Sequence, residues 1–309
     1  MPKINFFKKN SHSKSRQKQK IGISRKQNLI GWAFIIPGAI LIFLFYFYPI
    51  GKSFFLSLQG GAGLNLRFAG LANYKRLISD SLFTQSLFNV CIYLLIQVPI
   101  MITLALILAG LLNDQQIKFR SFFRTAIFLP CATSLVSYAI IFRSMFALDG
   151  FVNTILLNLN LIANPINWIG QPWTARLLIV LGLTWRWTGY NMIFYLAGLQ
   201  NIDPAIYEAA KIDGASAFDR LTKITIPMLK PIILLTTIMS TNGTLQIFDE
   251  TKNLTNGGPA NATLSVSQYI YRLSFEYVPR FGYAAAIAFV VFILVAVLAM
   301  LQVKVGDKR

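Results

Sequence analysis

The sequence predicts an all-α integral membrane protein with six transmembrane helices. Hydrophobic residues make up 55% of the chain and charged residues only 13%, and the mean hydropathy is +0.56. Soluble globular domains average about 45–50% apolar and about 25% charged residues. Six apolar runs reach the roughly 20 residues that a helix needs to cross a hydrocarbon core about 30 Å thick. Because a spanning backbone must satisfy its own hydrogen bonds, these runs are predicted to be helices.

The predicted spans differ in polarity and in their flanking residues. The first follows a basic tail, exceeds about 20 apolar residues and has no evident small-residue cleavage site, so we expect a retained anchor rather than a cleaved signal peptide. The fifth is the most polar, because Thr236, Ser240 and Asn242 lie inside it. The spans are placed at Leu29–Ile50, Ser86–Leu112, Phe122–Ala147, Ala175–Leu199, Pro231–Phe248 and Tyr283–Val303.

The distribution of lysine and arginine predicts the orientation. We expect a basic N-terminal tail at residues 1–28, a transmembrane domain at 29–303 and a C-terminal tail at 304–309. With both termini in the cytoplasm, the inner segments carry 9, 2, 4 and 3 basic residues and the outer loops carry 4, none and 3. This excess of 18 over 7 obeys the positive-inside rule. The chain is therefore expected to be a multi-pass protein of the cell inner or plasma membrane.

The net charge of +18 also invites a nucleic-acid-binding interpretation. Nine of the 29 basic residues lie in the first 28 positions, with almost no aromatic residues among them. A topology signal in contact with anionic lipids explains this pattern better than nucleic-acid binding does. His12, the only histidine, lies in the tail, and Cys91 and Cys131 lie in predicted spans. We therefore expect no catalytic site, no metal site, no cofactor and no disulfide.

A polar, charged segment, Glu208–Pro227, separates the fourth and fifth predicted spans. Asp203-Pro204 just before it predicts a helix start, because proline suits the first helical turn. Asp213-Gly214 predicts a break, since glycine adopts positive φ without penalty. We expect a helix, a glycine turn and a second short helix at Ser216–Lys223, a shape suited to insertion into a partner's cleft. Spacing alone is equally compatible with an amphipathic connection at the lipid interface.

One fragment imitates the end of a phosphate-binding loop. Gly51-Lys52-Ser53 has the right order, but Tyr46 stands where the motif needs its first glycine, and a membrane helix precedes it instead of a strand. We therefore expect that any ATP used by this protein is bound by another chain.

Two motifs resemble a known family. Glu208-Ala209-Ala210, then Gly214 after three residues and Ile224-Thr225-Ile226-Pro227 after nine more, resembles the EAA loop of the membrane subunits of bacterial ABC importers, which usually ends in Ile-x-Leu-Pro. With Leu254-Thr255-Asn256-Gly257-Gly258-Pro259, it resembles carbohydrate-uptake permeases of the maltose, lactose and glycerol-3-phosphate type. The resemblance covers nearly everything from Ile30 to the C-terminus and is closest to the first of the two paired permeases. Glu208–Pro227 is called the EAA segment below.

The resemblance implies a type I ABC importer permease fold and a set of partners. A second permease subunit would complete a heterodimer, and two ABC ATPase subunits would each receive one EAA loop. An extracytoplasmic solute-binding protein would deliver a sugar, which would cross by alternating access. The chain itself would be no enzyme, because its partners would hydrolyse the ATP. The implied ATPase-coupling residues are Glu208, Ala209, Ala210, Asp213, Gly214, Ala215 and Pro227.

A candidate substrate path lies on the fourth and fifth spans, because polar groups in a membrane usually face a cavity or another helix. Residues spaced by three and four share one helical face. The same positions match the sugar-contacting ones of the maltose-type permease in the resemblance. The alternative interpretation is that these side chains only join helices. The candidate residues are Leu183, Trp187, Tyr190, Ser240, Gly243, Thr244 and Ile247.

The position of Arg186 is a weaker indicator of the substrate class. An arginine on the path would favour an anionic solute such as glycerol-3-phosphate, but the expected face of Arg186 departs from those of Trp187 and Tyr190 by about 100° and 40°. The sequence therefore favours a neutral sugar. Alternatives are an ABC permease for glycerol-3-phosphate, a polyol or another solute. A protein of a different class, a self-sufficient secondary carrier or channel, would commonly show repeated halves and buried acids at mid-membrane, and neither is found here.

Overall fold

The computed structural model describes residues 25–63, 65–114 and 116–306. The chain divides into two units, Met1–Lys52 and Ser53–Arg309. Nearly all of the predicted basic tail at 1–28 lies outside the described residues, as do the last three residues of the predicted C-terminal tail.

Helices dominate both units. Single π-helical turns join α1 to α2 and α10 to α11. The all-α expectation missed one antiparallel hairpin, formed by β1 (Gln59–Ala62) and β2 (Asn65–Phe68). The helices are α1 (Arg25–Ile42), α2 (Tyr48–Ser57), α3 (Ala72–Ile78), α4 (Ser81–Asn113), α5 (Arg120–Ala132), α6 (Leu135–Met145), α7 (Phe151–Asn158), α8 (Pro172–Leu199), α9 (Pro204–Ile212), α10 (Ala217–Arg220), α11 (Ile226–Leu245), α12 (Val266–Tyr271) and α13 (Phe281–Gly306).

Four uninterrupted helices in the described part of the chain are long and apolar enough to cross a membrane. They contain or overlap the first, second, fifth and sixth predicted spans. The fifth ends at Leu245, three residues earlier than predicted. The helices are Asn28–Ser57, Ser81–Asn113, Ala217–Leu245 and Phe281–Gly306.

The third predicted span, Phe122–Ala147, is not one straight helix. The chain turns by 101° between α5 and α6, and this bent pair counts as a fifth candidate span. Pro130 lies near the end of α5 and Thr133 is extended. Pro130 removes one helical hydrogen bond and weakens the last turn of α5, and the helix ends where Thr133 becomes extended.

The fourth predicted span lies within α8, whose 28 residues extend about 42 Å. This length is sufficient to cross a bilayer, but α8 is not among the strongly apolar helices. Its mean hydropathy is lower because the helix contains the polar residues Arg176, Arg186 and Asn191. In the described part of the chain, four helices, or five with the bent pair, therefore qualify as candidate spans, and α8 covers the fourth predicted segment.

The N-terminal half of the polar segment folds as expected. The Asp203 side chain caps α9 by accepting a hydrogen bond from the Ala205 amide at 2.9 Å, and Pro204 occupies the first turn. Gly214 has φ +77° and ends the helical turn. A capping box formed by Ser216 and Asp219 then begins α10.

In the C-terminal half of the polar segment, the prediction of a separate short helix at Ser216–Lys223 was wrong. The helix that begins at Ala217 continues without interruption to Leu245. Pro227 has no N–H to donate, and the π-helical turn Leu221–Thr225 directly before it widens the helix at that point. Such a widened turn accommodates the missing hydrogen bond, so the helix does not end. The EAA segment is therefore joined directly to the following span.

The buried helix α8 is the centre of the second unit. It contributes Leu178 to one apolar cluster, with Tyr93 of α4, and Met192 to another, with Leu229 of α11. The hydroxyls of Tyr195 and Thr236 lie 2.6 Å apart and join α8 to α11. Both α4 and α11 therefore pack along the length of α8.

Asp80 organises the end of the bundle that carries the hairpin. Its carboxylate caps α4 by accepting hydrogen bonds from the Leu82 and Phe83 amides. It also accepts hydrogen bonds from the hydroxyls of Tyr269, at 2.6 Å, and Tyr283. Burial alone would raise the pKa of Asp80, but these four hydrogen bonds outweigh it and hold the pKa below its usual value. One ionised carboxylate thus joins α4, α12 and α13.

We expect Asp80→Asn to lower the unfolding temperature of the detergent-solubilised protein by about 2–4 °C near neutral pH, because it weakens charge-assisted hydrogen bonds. A carboxyl group with a lowered folded-state pKa stabilises the fold above its unfolded pKa of about 3.9 and stops doing so as the pH falls through the folded value. The difference between wild type and variant should therefore shrink in acid. Asp149→Asn, at an exposed position, is the control. Equal unfolding temperatures at neutral pH would contradict this role of Asp80.

Candidate functional site

A cavity of about 690 Å³ opens among α4, α6, α8, α11 and the chain that follows α11. Its volume lies within the range of about 300–1,000 Å³ that is typical of small-molecule sites. The structure brings all seven candidate substrate-path residues together on its wall. The lining residues are Gln97, Met101, Leu135, Leu183, Arg186, Trp187, Tyr190, Asn191, Met239, Ser240, Gly243, Thr244, Gln246, Ile247, Phe248, Asp249 and Glu250.

The candidate residues contribute to the wall in different ways. Trp187 and Tyr190 are half-buried and lie edge to face, with ring centroids 5.8 Å apart. Leu183 and Ile247 are only 3% and 4% exposed, so they belong mainly to the core behind the wall. Ser240 is half-buried and can offer its hydroxyl to a bound molecule. The aromatic rings therefore provide the open apolar surface of the cavity.

A polar cluster at one side of the cavity was not predicted. Thr244 Oγ1 donates a hydrogen bond to Gln97 Oε1 at 3.3 Å, and Gln97 Nε2 contacts the Met101 sulfur at 3.1 Å. Asn191 Nδ2 donates to the Trp187 carbonyl at 3.0 Å. Gln97 lies in the middle of the second predicted span, where a polar residue is costly and indicates a function or a partner. That signal alone would have identified it.

Arg186 lines the cavity, although the sequence placed it off the path. It is 6% exposed, and its terminal nitrogens donate to the carbonyls of Thr133 at 3.2 Å and Cys131 at 3.4 Å. Its Nε is buried without a hydrogen-bond partner. The angles of an ideal helix did not predict this position, because they describe the direction of the Cα–Cβ bond and a long arginine side chain can bend away from it.

Arg186 and Gly189 together hold the broken helix pair against α8. The Thr133 and Cys131 carbonyls lie at the end of α5, where no further helical turn satisfies them. One turn along α8, the backbone at Gly189 approaches α5 so closely that a Cβ there would lie 2.0 Å from the Ile127 carbonyl oxygen. Only glycine permits this contact, and it brings the arginine within reach of the broken helix end.

Two carboxylates that sequence reasoning missed also line the cavity. Asp249 is exposed, whereas Glu250 is 7% exposed. The Trp187 side chain lies close enough to Glu250 to favour its ionised form. Neither Glu250 nor Arg186 belongs to an ion pair among the described residues. Both acids lie just beyond the fifth predicted span, where the polarity of residues inside the spans gives no signal.

The candidate coupling residues lie at the opposite end of α8 from the hairpin. Glu208, Ala209, Asp213, Gly214 and Pro227 are exposed. Ala210 and Ala215 are half-buried, and the Ala215 amide donates to the Ala210 carbonyl at 2.9 Å. The predicted set therefore forms an accessible surface around one helical turn.

Two contacts fix that surface, and two apolar residues extend it. The hydroxyls of Tyr207 and Thr225 lie 2.9 Å apart, and Arg220 donates to the Ala215 carbonyl at 2.9 Å. Ile212 and Phe218 were not predicted, yet they are 87% and 73% exposed on either side of Gly214. Both residues could have been predicted, because they are large apolar side chains inside an otherwise polar segment.

A comparison with known protein families identifies the family of this chain. Residues 77–309 match the family described as binding-protein-dependent transport system inner membrane component. The chain belongs to this family. It is an integral membrane component of a transport system, and its apolar helices are consistent with this description.

The similar permeases include several named for sugars, which confirms the resemblance to carbohydrate permeases. The chain is 53% identical over 289 residues to the lactose transport system permease protein LacF of Rhizobium radiobacter, covering 93% of this chain and 97% of the relative. It is 35% identical over 278 residues to the arabinooligosaccharides transport system permease protein AraP of Bacillus subtilis, covering 89% and 88%.

The fold is shared with a solved transporter. A subunit in the crystal structure of a bacterial ABC transporter involved in the import of the acidic polysaccharide alginate superposes with a TM-score of 0.79. Its sequence identity is 22%, and the match covers 92% of this permease and 96% of that chain. At this identity the similarity establishes the fold alone.

We expect Gly189→Ala to destabilise the permease by about 1–3 kcal/mol, because the added Cβ would overlap the α5 backbone, which is less able to move than a side chain. Thermal unfolding in detergent measures the loss. Gly110→Ala in α4 is the matched control, since a Cβ there meets nothing within 4 Å and alanine favours the helix. Equal unfolding temperatures for the two variants would contradict the close contact between α5 and α8.

Proposed function

We propose that this permease is the membrane-spanning subunit of an ATP-driven ABC importer that carries a neutral sugar. The observation that supports this best is the single cavity whose wall contains all seven candidate residues. Trp187 and Tyr190 can stack on the apolar face of a sugar ring, while Ser240, Gln246 and the Gln97–Thr244 pair can bond its hydroxyls. Apolar walls with a few placed polar groups are typical of ligand sites.

The exposed EAA segment would couple transport to ATP hydrolysis in partner subunits. Glu208 can engage a charged or backbone donor, and the small residues Ala209, Ala210, Gly214 and Ala215 permit close approach of a partner's cleft. Ile212 and Phe218 would add apolar anchors to the same contact, because large exposed apolar side chains mark interaction sites. A second permease and two ATPases would complete the complex, with a binding protein delivering the sugar.

The direct path from the EAA segment to the cavity supports alternating access. The helix from Ala217 to Leu245 carries the end of the EAA segment at one end and Ser240, Gly243 and Thr244 at the other. Movement of the segment by ATPase closure would therefore displace the cavity wall as a rigid element. With both termini in the cytoplasm, the EAA segment would face the ATPases there.

Arg186 supports a second candidate, an importer of glycerol-3-phosphate or another polyol phosphate. A buried arginine on a cavity wall is a natural anion receptor. The neutral sugar is preferred because each terminal nitrogen of Arg186 already donates one hydrogen bond to a backbone carbonyl.

Copurification followed by an ATPase assay tests the proposed function. The complex, supplied with its binding protein, is assayed with lactose first, because of the 53% identical relative, and then with arabinooligosaccharides and glycerol-3-phosphate. Stimulation by one neutral sugar supports the proposal. Stimulation by glycerol-3-phosphate alone would favour the second candidate, and transport by the permease without any ATPase would refute both.

We expect Gly214→Val and Glu208→Lys to abolish sugar uptake while the protein remains in the membrane. The first forces a branched side chain into φ +77°, and the second reverses a charge at the partner contact. ATPase association and sugar-stimulated ATP hydrolysis are measured alongside uptake.

The structure offers matched controls for both coupling variants. Gly63→Val introduces the same strain at φ +60° in open surroundings on the hairpin, and Asp114→Lys reverses an exposed charge in the α4–α5 connection. Both controls should retain uptake. Unimpaired uptake in Gly214→Val and Glu208→Lys would rule out the coupling role.

We expect Trp187→Ala to raise the sugar concentration for half-maximal ATPase stimulation by at least about tenfold, because a stacking surface is lost. Trp185→Ala is the matched control, since Trp185 lies two positions away and contacts Tyr138 and Phe142 instead of lining the cavity. An equal effect of both variants would indicate loss of packing instead of loss of a sugar contact.

A further inference from the structure

The cavity wall carries one positive and two negative side chains. Arg186 approaches from α8, whereas Asp249 and Glu250 follow the end of α11. Their formal charges sum to −1, so the charge of the wall depends on how strongly each group is neutralised by its own surroundings.

The positive charge of Arg186 interacts mainly with groups of the protein itself. Its two terminal nitrogens donate to the Thr133 and Cys131 carbonyls at the end of α5. A helix C-terminus carries a partial negative charge, which offsets a cation placed there. The guanidinium carbon also lies 5.7 Å from the centroids of both Tyr138 and Trp187. These two bonds use two of the five guanidinium N–H donors, and Nε, which is buried without a partner, can donate to a sugar hydroxyl.

Glu250 is placed differently, because it has no cationic hydrogen-bond partner among the described residues. Burial raises the pKa of Glu250 above its usual value, and its own backbone amide, the positive charge of Arg186 and the nearby Trp187 indole offset only part of this effect. None of these contacts is an ion pair that would cancel its charge. A carboxylate in such a setting repels a second anion more strongly than it would in water.

From these contacts we infer that Glu250, together with Asp249, makes this path selective against anionic solutes, so that it accepts neutral sugars and rejects their acid derivatives. The inference rests on the proposed function and specifies its substrate class. Arg186 keeps the broken helix in place and does not act as the anion receptor that its position suggests. Repulsion of the wrong solute is an established route to specificity.

Equilibrium binding to the purified complex tests this inference, with the binding protein left out so that it cannot select the solute. The probes are radiolabelled lactose and lactobionate, which carries a carboxylate in place of the reducing-end aldehyde. Binding is measured at about pH 8, well above the usual carboxyl range. Wild type should bind lactose at least about tenfold more tightly than lactobionate, and Glu250→Gln should reduce this preference by about tenfold, equivalent to about 1.4 kcal/mol.

Glu276→Gln is the matched control, because Glu276 pairs with Lys252 and Arg272 and does not line the cavity. It should keep the wild-type preference. Lactose binding with the same preference in Glu250→Gln as in wild type would overturn the charge inference and leave the proposed function intact. Absence of binding of every sugar tested to the wild-type complex would overturn the proposed function, and the inference with it.

A measurement on wild type guards against a misfolded variant. An amine-bearing lactose analogue, cationic at this pH, should bind at least as tightly as lactose, and both should bind more tightly than lactobionate. Tightest binding of lactobionate would show that Arg186 dominates the wall and would overturn the inference.

Discussion

The need to satisfy the broken end of α5 governs the arrangement of the cavity. The bend of 101° between α5 and α6 leaves carbonyl groups without helical partners. In a membrane such groups cost several kcal/mol each unless the protein provides a donor. Arg186 provides it, and Gly189 allows α8 to come close enough for the contact. One arginine and one glycine therefore fix where three helices meet.

The chemistry of the cavity follows from that contact. Because the guanidinium is committed to backbone carbonyls, the remaining wall consists of aromatic rings, hydroxyl and amide groups, and the two acids that follow α11. Trp187 connects these parts, since its indole lies near Glu250 and its ring packs edge to face with Tyr190. A neutral, hydroxyl-rich molecule matches such a wall better than an anion does.

The two surfaces of functional interest share continuous elements. The helix beginning at Ala217 passes the π-helical turn before Pro227 and reaches the cavity at Ser240 without a break. The other side of the EAA segment follows α8, which carries Trp187 and Tyr190. About 35 Å of helix thus runs from Ala217 to Ser240, and about 18 Å of α8 from Trp187 to its end at Leu199. In the proposed function, these helices transmit movement from the ATPases to the sugar.

Amino-acid order alone predicts the helical class, most span positions, the start of α9 at Asp203 and the turn at Gly214, because composition, periodicity and φ preference are local properties. Spacing also grouped Trp187 with Tyr190 and Ser240 with Thr244. The packing of distant segments brings both groups into one cavity, bends α6 away from α5, and adds Arg186, Gln97 and Glu250 to the wall. These outcomes depend on contacts between residues far apart in the chain, and on the reach of long side chains, which local periodicity does not encode.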